Sequence, residues 1–153
     1  MIRGLSEGCL QLRQMEYGDI EEVVSIEKLY FNKSWSKKTF QKLLDHQDVE
    51  VWVALQGEDL LGYVVLQCSG DEAELINIAV RKGKRKLGIG SALLSKTVDV
   101  AVGLDVKKLF LEVRSSNQQA ISLYERFGFD QVGMRKNYYS NPREDAQILC
   151  RLL

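Results

Sequence analysis

The chain has 153 residues, a length that suits one domain with a substantial core and is too short for two. Lys and Arg together number 21, and Asp and Glu also number 21, so the formal net charge is zero. This balance excludes the surface-wide basic excess by which proteins displace the counterions of DNA or RNA.

The cysteines and the apolar runs set expectations about the compartment. Cys9, Cys68 and Cys150 are far apart and lack the spacing of metal ligands, so we expect reduced thiols and no metal site. The first ten residues lack the apolar core of a secretion signal, and no run approaches the length of a membrane span. We therefore expect a cytoplasmic protein without a membrane anchor.

The first half of the chain predicts one strand, two helices and then three strands. Residues 9–15 alternate like a strand. Asp19 is predicted to cap a first helix, and Ser36 a second short helix that runs to Leu44. Three strand-like runs follow, at residues 49–55, 60–68 and 73–80. The turns between them are short, which predicts an antiparallel meander.

The second half predicts two helices, each followed by strands. A helix from about Gly90 to Val102 is expected to end at Gly103 in the left-handed conformation. After a strand at 109–113, Asn117 is predicted to cap a helix that stops at Gly128, and residues 129–133 and 146–152 are predicted as closing strands. The strand–helix–strand unit at 73–113 implies parallel pairing. The fold class is therefore α+β (mixed α/β), with a mixed sheet in one domain.

A basic, glycine-containing segment joins the strand at 73–80 to the helix after it. It has five Lys or Arg side chains among residues 81–86, and glycines at 88 and 90. A helix start has unpaired backbone N–H groups and a positive dipole end, and glycine lets a ligand approach the backbone, so a pyrophosphate fits there. Leu93 replaces the third glycine of a Rossmann fingerprint, and no P-loop Lys-Ser/Thr follows. A solvated charge run or a plain turn remains open.

Several motifs together give this segment a context. RKLGIG at 85–90, NIAV at 77–80, LEVRSSNQQAISLYERFGF at 111–129 and RKNYYSNPREDAQIL at 135–149 occur in this order. Over nearly the whole chain the sequence resembles the GNAT acetyltransferase superfamily. Within it, the sequence is most similar to the ribosomal-protein alanine N-acetyltransferases, which are protein N-terminal acetyltransferases. The resemblance implies the GNAT fold over residues 1–153, with a mostly antiparallel sheet flanked by helices.

The resemblance also implies acetyl-CoA as co-substrate. In the family the pyrophosphate rests on the segment at 86–91, the pantetheine arm runs along the strand at 78–80, and an asparagine matching Asn117 touches the cofactor. Where an Asp-Pro-like turn is common, this chain has residues 81–84, whose extra lysines either grip the ribose phosphate or face water. The implied cofactor residues are Ile78, Ala79, Val80, Arg85, Lys86, Leu87, Gly88, Ile89, Gly90, Ser91 and Asn117.

Acetyl transfer from a thioester to an amine needs a base, an oxyanion donor and an acid for the leaving thiolate. Glu112 lies in the apolar run LFLEV, where apolar neighbours make a carboxylate a better base. The resemblance assigns it the base role, Tyr124 the acid role, and a backbone N–H at 78–80 the oxyanion. The alternatives are an exposed Glu112 paired with Arg114, and a Tyr124 that only packs against the sheet.

The acceptor side is implied by the resemblance alone. It places Phe31 and Trp35, between the first two helices, against the acceptor peptide, together with Asn137, Tyr138 and Tyr139 in the loop between the last two strands. Packing within the core or the loop is the alternative for all five. His46 and Glu144 are secondary candidates for the base. Covalent catalysis by a cysteine is set aside, because Cys68 and Cys150 have no convincing base nearby in the sequence.

The leading hypothesis is acetyl-CoA-dependent N-acetylation of a protein N-terminal amine by direct attack in a ternary complex. The resemblance implies the N-terminal alanine of a small-subunit ribosomal protein as acceptor. A lysine side chain or a small amine is the nearest rival. A subunit that binds acyl-CoA without turnover is an alternative from another class, and a nucleic-acid-binding module is more distant.

Overall fold

The computed structural model describes residues 9–31, 33–83 and 88–153. Within these ranges the chain forms one seven-stranded sheet and four α-helices, in a single mixed domain as predicted. The strands are β1 (Leu10–Gln14), β2 (Val49–Gln56), β3 (Asp59–Ser69), β4 (Glu72–Val80), β5 (Lys108–Arg114), β6 (Asp130–Tyr139) and β7 (Glu144–Leu152). The helices are α1 (Ile20–Tyr30), α2 (Lys37–Asp45), α3 (Ile89–Gly103) and α4 (Gln118–Arg126).

The sheet order is β1-β2-β3-β4-β5-β7-β6. Strands β2, β3 and β4 form the predicted antiparallel meander. Only β4 and β5 pair in parallel, across the α3 crossover. The sheet is therefore mixed and mostly antiparallel, as the resemblance implies. None of the helices within the described ranges is both long and apolar enough to cross a membrane.

Two of the three predicted N-terminal caps are confirmed. Ser36 Oγ accepts from the Thr39 N–H at 3.2 Å, and Asn117 Oδ1 accepts from the Ala120 N–H at 3.1 Å. The prediction for Asp19 was wrong. Its carboxylate is taken by Arg13, at 2.7 and 3.0 Å, and by the N–H of Glu16, so it does not cap α1. Because the carboxylate is bonded to Arg13, it is not available to the N–H groups at the start of α1.

The end of α3 also differs from the prediction. Gly103 is the last residue of the helix, and the left-handed residue is Asp105, with φ of 60°. The N–H of Val106 donates to the Ala101 carbonyl at 3.0 Å, and that of Asp105 to the Val102 carbonyl at 3.1 Å. This is a Schellman motif, in which aspartate takes the position that glycine usually occupies.

The sheet has a separate core on each face. On one face α3 and α4 pack against alternate residues of β5, namely Leu109, Leu111 and Val113. On the other face α1 and α2 pack against β2, β3 and β4 around Phe40 and Tyr63. Since residues of a strand alternate between faces, Glu112 lies on the α1 and α2 face of the sheet.

Strands β4 and β5 diverge halfway along their length. Their parallel pairing runs from Glu72 opposite Lys108 to Leu75 opposite Leu111. At that point the register between β3 and β4 shifts, which leaves Ile76 as an extra, bulged residue in β4. Beyond the bulge a gap opens between the second half of β4 and the end of β5. The gap gives a ligand access to strand edges in the middle of the sheet.

Candidate active site

The gap exposes the backbone of β4. The N–H of Arg81 donates to the Leu61 carbonyl of β3 at 2.6 Å. Successive residues of a strand direct their backbone groups to opposite edges, so Ala79 also faces β3, while Ile78 and Val80 face the gap. Of the three predicted cofactor residues in this strand, Ile78 and Val80 thus offer N–H groups to a ligand. Ala79 is 7% exposed and belongs to the core between β4 and α1.

The start of α3 lies at the end of the gap that is near Val80. Gly88 is left-handed, with φ of 78°, and α3 begins at Ile89. The N–H of Ala92 is bonded to the Gly88 carbonyl, so the N–H groups of residues 89–91 precede the first helical bond. A Cβ on Gly90 would meet only Leu123 Cδ2, at an ordinary 3.8 Å, so packing does not require glycine there. Close approach of a phosphate does explain it.

The remaining predicted cofactor residues divide into three groups. Ile89 is buried in the core, which leaves only its backbone for a ligand, and Ser91 is half-buried at the helix start. Asn117 caps α4 through its Oδ1. Arg85, Lys86 and Leu87 lie outside the described residues.

The first residue of the basic segment is held by the fold. Arg81 Nε donates to the Leu60 carbonyl at 3.0 Å, and its guanidinium lies 3.7 Å from Glu22 on α1. These contacts direct Arg81 toward β3 and α1. Arg81 therefore neither faces water freely nor is directed at a cofactor, because its guanidinium is held by β3 and α1.

Glu112 forms an ion pair with Arg135 of β6, whose Nε lies 3.0 Å from Glu112 Oε1. The side chain of Glu112 is only 17% exposed. The alternative pairing with Arg114 is wrong, because Arg114 pairs with Glu144 at 3.3 Å. Strand β7 lies between β5 and β6, and Arg135 reaches across it to Glu112.

Asn137, Tyr138 and Tyr139 are the last three residues of β6. The prediction that they lie in a loop between the last two strands was therefore wrong. The register of β6 shifts between Arg135 and Tyr139, and Asn137 is left-handed with φ of 54°. The backbone N–H of Asn137 donates to the Asp145 carboxylate at 2.8 Å. This irregular strand end brings both tyrosines toward β5.

Both tyrosines are close to the Glu112 carboxylate. A hydrogen bond from Tyr138 to Glu112 raises the pKa of the Tyr138 phenol. Burial and then the Glu112 charge raise the pKa of Tyr139 to about 12. The two rings meet edge to face with centroids 5.1 Å apart, and the Arg114 guanidinium lies 4.4 Å above the Tyr139 ring. Glu112 thus has Arg135, Tyr138 and Tyr139 as neighbours.

Tyr124 is on the opposite face of the sheet, in the core formed with α3 and α4. It is 6% exposed and meets Phe129 edge to face at 5.9 Å. Burial, followed by the effect of nearby Tyr139, raises the pKa of Tyr124 to about 12. The phenol therefore keeps its proton at neutral pH. Glu112 and Tyr124 thus lie on opposite faces of the sheet.

A groove of about 410 Å³ runs along the Glu112 face of the sheet. Glu74 lines it beside Glu112 and Arg135. Burial and then the Glu112 charge raise the pKa of Glu74. Sequence analysis missed Glu74 and Arg135 as members of this site, because their proximity to Glu112 depends on the order of β4, β5, β7 and β6.

The other predicted candidates have local partners. His46 Nδ1 accepts from the N–H of Asp48 at 3.1 Å, in an exposed turn. Bonds from Ser116 and Arg114 lower the pKa of Glu144, which weakens it as a base. Burial raises the pKa of Cys68 and of Cys150, which disfavours their thiolates. Within the described ranges, no group of His, Cys, Asp and Glu side chains is arranged to hold a metal ion.

Phe31 and Trp35 are both half-buried against the core of the α1 and α2 face. The Trp35 ring meets Phe40 edge to face at 5.6 Å. Trp35 therefore packs as a core residue. Any contact between its loop and an acceptor stays a prediction.

Comparison with known proteins identifies the family. The model of the acetyltransferase (GNAT) family matches residues 20–129. The chain belongs to this family. It is 35% identical to the ribosomal protein bS18-alanine N-acetyltransferase of Escherichia coli, over 91% of this chain and 95% of that protein. It is 33% identical to the protein of that name from Haemophilus influenzae, over 91% and 96%.

A solved structure agrees with these relatives. The crystal structure of the ribosomal-protein-S18-alanine N-acetyltransferase from Escherichia coli superposes with a TM-score of 0.86 and 34% identity, over 94% of each chain. The GNAT member described here is thus an N-acetyltransferase that uses acetyl-CoA. The gap between β4 and β5 and the glycine-containing start of α3 fit this co-substrate.

Proposed function

We propose that this enzyme acetylates the N-terminal α-amine of a protein in the cytoplasm, and that its acceptor is the N-terminal alanine of ribosomal protein bS18. The observation that carries the proposal is the similarity, over nine-tenths of the chain, to enzymes named for that acceptor. The presence of a candidate base, Glu112, and a candidate acid, Tyr124, on opposite faces of the sheet supports turnover over acyl-CoA binding alone.

The acceptor approaches from the Glu112 face. An α-amine has a pKa of about 8, so most of it is protonated at neutral pH and must lose a proton before attack. Glu112 accepts that proton, directly or through a water molecule. The ion pair with Arg135 and the interaction with Tyr138 fix the orientation of the carboxylate. The groove lined by Glu74, Glu112 and Arg135 receives the first residues of the peptide.

The bond changes take place in the gap. The amine nitrogen attacks the carbonyl carbon of the thioester, a C–N bond forms and the C–S bond breaks. The N–H groups of Ile78 and Val80 face the gap and stabilise the negative charge that develops on the carbonyl oxygen. Acetyl-CoA supplies the activated acetyl group when it is bound.

Tyr124 acts on the leaving sulfur. Because the pKa of Tyr124 is raised to about 12, its hydroxyl is a proton donor throughout the neutral range. An ordinary thiol has a pKa of about 8.5, so the phenol acts first as a hydrogen-bond donor to the departing thiolate. The nitrogen loses its second proton as the amide forms, the thiolate takes up one proton to leave as the thiol, and Glu112 releases its proton to solvent. The peptide leaves as an amide.

A thiol-release assay with three acceptors tests the proposal. The first is a peptide with a free N-terminal alanine, the second the same peptide with a blocked N terminus and an internal lysine, and the third a polyamine. We expect kcat/KM for the first to exceed the others by at least about 100-fold, the scale of a well-placed acceptor. Equal or greater turnover of the lysine peptide or the polyamine would refute the proposed acceptor. Acetyl-CoA binding without thiol release from any acceptor would refute the proposed catalysis.

A further inference from the structure

A second carboxylate is buried away from Glu112. Glu27 in α1 is 1% exposed, and it is one of two buried residues with a polar or charged side chain among the described residues. Burial raises the pKa of Glu27, against the opposing effect of hydrogen bonds from Tyr63, Trp35 and Asn77. A buried carboxylate costs several kcal/mol unless its oxygens are well bonded. Its partners are therefore informative.

The partners of Glu27 are all donors, and they come from three different parts of the fold. The Tyr63 hydroxyl of β3 donates to Oε2. The Asn77 amide of β4 lies 3.0 Å from Oε1 and 3.2 Å from Oε2. The backbone N–H of Trp35, in the loop between α1 and α2, donates to Oε1 at 3.3 Å. A carboxylate has the four lone-pair sites that such a set of donors requires.

Two of these partners lie at places that matter for catalysis. Asn77 comes directly after the bulged Ile76, where β4 leaves β5, and directly before Ile78, whose backbone faces the gap. Trp35 is in the loop between α1 and α2, on the Glu112 face of the sheet, and its ring is locked against Phe40. One side chain thus connects the edge of the gap to this loop.

We propose that Glu27 is a positioning residue, which sets the path of β4 beyond the bulge relative to the loop between α1 and α2. It touches neither substrate. It acts through Asn77 on the backbone that faces acetyl-CoA and through Trp35 on the loop beside the acceptor. The part of this inference that concerns the acceptor peptide rests on the proposed function, and the part that concerns acetyl-CoA does not. A displacement of about 1 Å in a reacting geometry lowers rates by up to about 100-fold, so a positioning role is measurable.

Glu27→Gln tests the role, because glutamine keeps the shape but places an N–H₂ group among donors. We expect the Kd for acetyl-CoA, measured by calorimetry, to rise about tenfold and KM for the alanine peptide to rise by a similar factor. Circular dichroism and a cooperative melting curve are expected to show a folded protein. A folded Glu27→Gln enzyme with unchanged Kd and KM would overturn the proposal.

Tyr63→Phe is the matched control, because Tyr63 is the one donor that belongs neither to the bulge nor to the loop. We expect it to lower the melting temperature, because one hydrogen bond to the buried carboxylate is lost, with Kd and KM within twofold of wild type. Asn77→Ala removes the link to the bulge and is expected to raise the Kd for acetyl-CoA about tenfold, which keeps the test decisive if Glu27→Gln does not fold. Equal effects of Asn77→Ala and Tyr63→Phe on Kd would overturn the proposal.

A double substitution tests the chemistry of the link. In Glu27→Gln with Asn77→Asp the amide and the acid exchange places, so the donor and acceptor roles match again. We expect the Kd for acetyl-CoA to recover at least fivefold relative to Glu27→Gln; no recovery would count against the link. The calorimetric readout needs no acceptor. A wild-type enzyme that binds acetyl-CoA but does not acetylate the alanine peptide would therefore refute the proposed function and leave this test intact.

Discussion

The carboxylate of Glu112 has two interacting neighbours that both come from β6. Arg135 Nε forms an ion pair with Oε1 at 3.0 Å, and interaction with Glu112 raises the pKa of Tyr138. A base held from one side presents its free lone pairs in a fixed direction, which favours proton transfer. Arg114, the neighbouring cation on the same strand, is bound to Glu144. The site thus contains two separate ion pairs, Arg135 with Glu112 and Arg114 with Glu144.

Glu112→Gln removes the proton acceptor and keeps the shape of the side chain. We expect kcat/KM at pH 7 to fall by about 100-fold or more, and the defect to shrink above about pH 8, where the α-amine loses its proton unaided. Calorimetry is expected to show an unchanged Kd for acetyl-CoA. The discriminating measurement is a pH–rate profile from pH 6 to 9.5. A defect of constant size at every pH would assign Glu112 a positional role instead.

Tyr124→Phe keeps the edge-to-face contact with Phe129 and removes the donor hydroxyl. We expect kcat to fall by roughly 10²–10⁴-fold with the melting temperature nearly unchanged, the range for loss of a positioned acid. Since burial raises the pKa of Tyr124 to about 12, the wild-type rate is not expected to decline through its ionisation below about pH 11. Steady-state kinetics on the purified variant decide the point. Activity within twofold of wild type would leave Tyr124 with a packing role only.

Two elements, β4 and α3, build the proposed cofactor site between them. The bulge at Ile76 turns β4 away from β5, and α3 starts at the far end of the gap this creates. Beyond the bulge, the free edge of β4 offers the N–H groups of Ile78 and Val80, and the start of α3 offers another set beside the positive end of its dipole. The elements therefore supply a binding surface made largely of backbone. The glycines at 88 and 90 help because they have no side chain that would block a ligand from the backbone.

Gly90→Asp tests the start of α3 without backbone strain, since Gly90 is helical and its Cβ would meet only Leu123 at 3.8 Å. A negative charge at this position repels the pyrophosphate, and we expect no acetyl-CoA binding by calorimetry. Ser95→Asp, on the exposed side of the same helix, adds the same charge and is the matched control, with binding retained. Gly88→Asp should also abolish binding, but its left-handed backbone adds strain. Unchanged affinity in a folded Gly90→Asp variant would exclude this surface.

The C-terminal end of α3 allows a stability prediction. Gly103 lies in the helix with φ below zero and open space around its Cβ position, whereas Asp105 carries the left-handed turn. Gly103→Ala is therefore expected to raise the free energy of unfolding by about 0.4–1 kcal/mol, through loss of unfolded-state entropy. Urea denaturation measures the change. Destabilisation by Gly103→Ala would restore the original interpretation of this glycine as the left-handed stop.

At the scale of the whole molecule, sequence patterns predicted the order of the elements and most of the topology. Strand alternation, short turns and two of the three caps are local signals, and the parallel pair follows from the crossover at α3. The fine structure at the ends of elements was harder. Asp19 and Gly103 were assigned wrongly, because an ion pair with Arg13 and a left-handed Asp105 compete with the usual cap residues.

Residues of the candidate site that belong to a family motif were named from the sequence. Contacts that depend on the order of the strands in the sheet were not. Glu112, Tyr124 and the glycines of α3 follow from the family resemblance. The ion pair of Glu112 with Arg135 needs β7 to lie between β5 and β6, which no local pattern indicates. The burial of Glu27 depends in the same way on Tyr63 and Asn77, which are 36 and 50 residues away along the chain. Long-range pairing accounts for what sequence analysis missed.

The central claim is that the acetyl group is transferred to an N-terminal α-amine, and fragment-ion mass spectrometry of the product tests it most directly. The acceptor is a synthetic peptide that begins with alanine and also contains an internal lysine, so both amines compete in one reaction. We predict a single acetyl group on the N-terminal alanine, formed by the wild-type enzyme and reduced at least about 100-fold in Glu112→Gln at pH 7. An acetyl group on the lysine side chain, or product formed equally by both enzymes, would contradict the account.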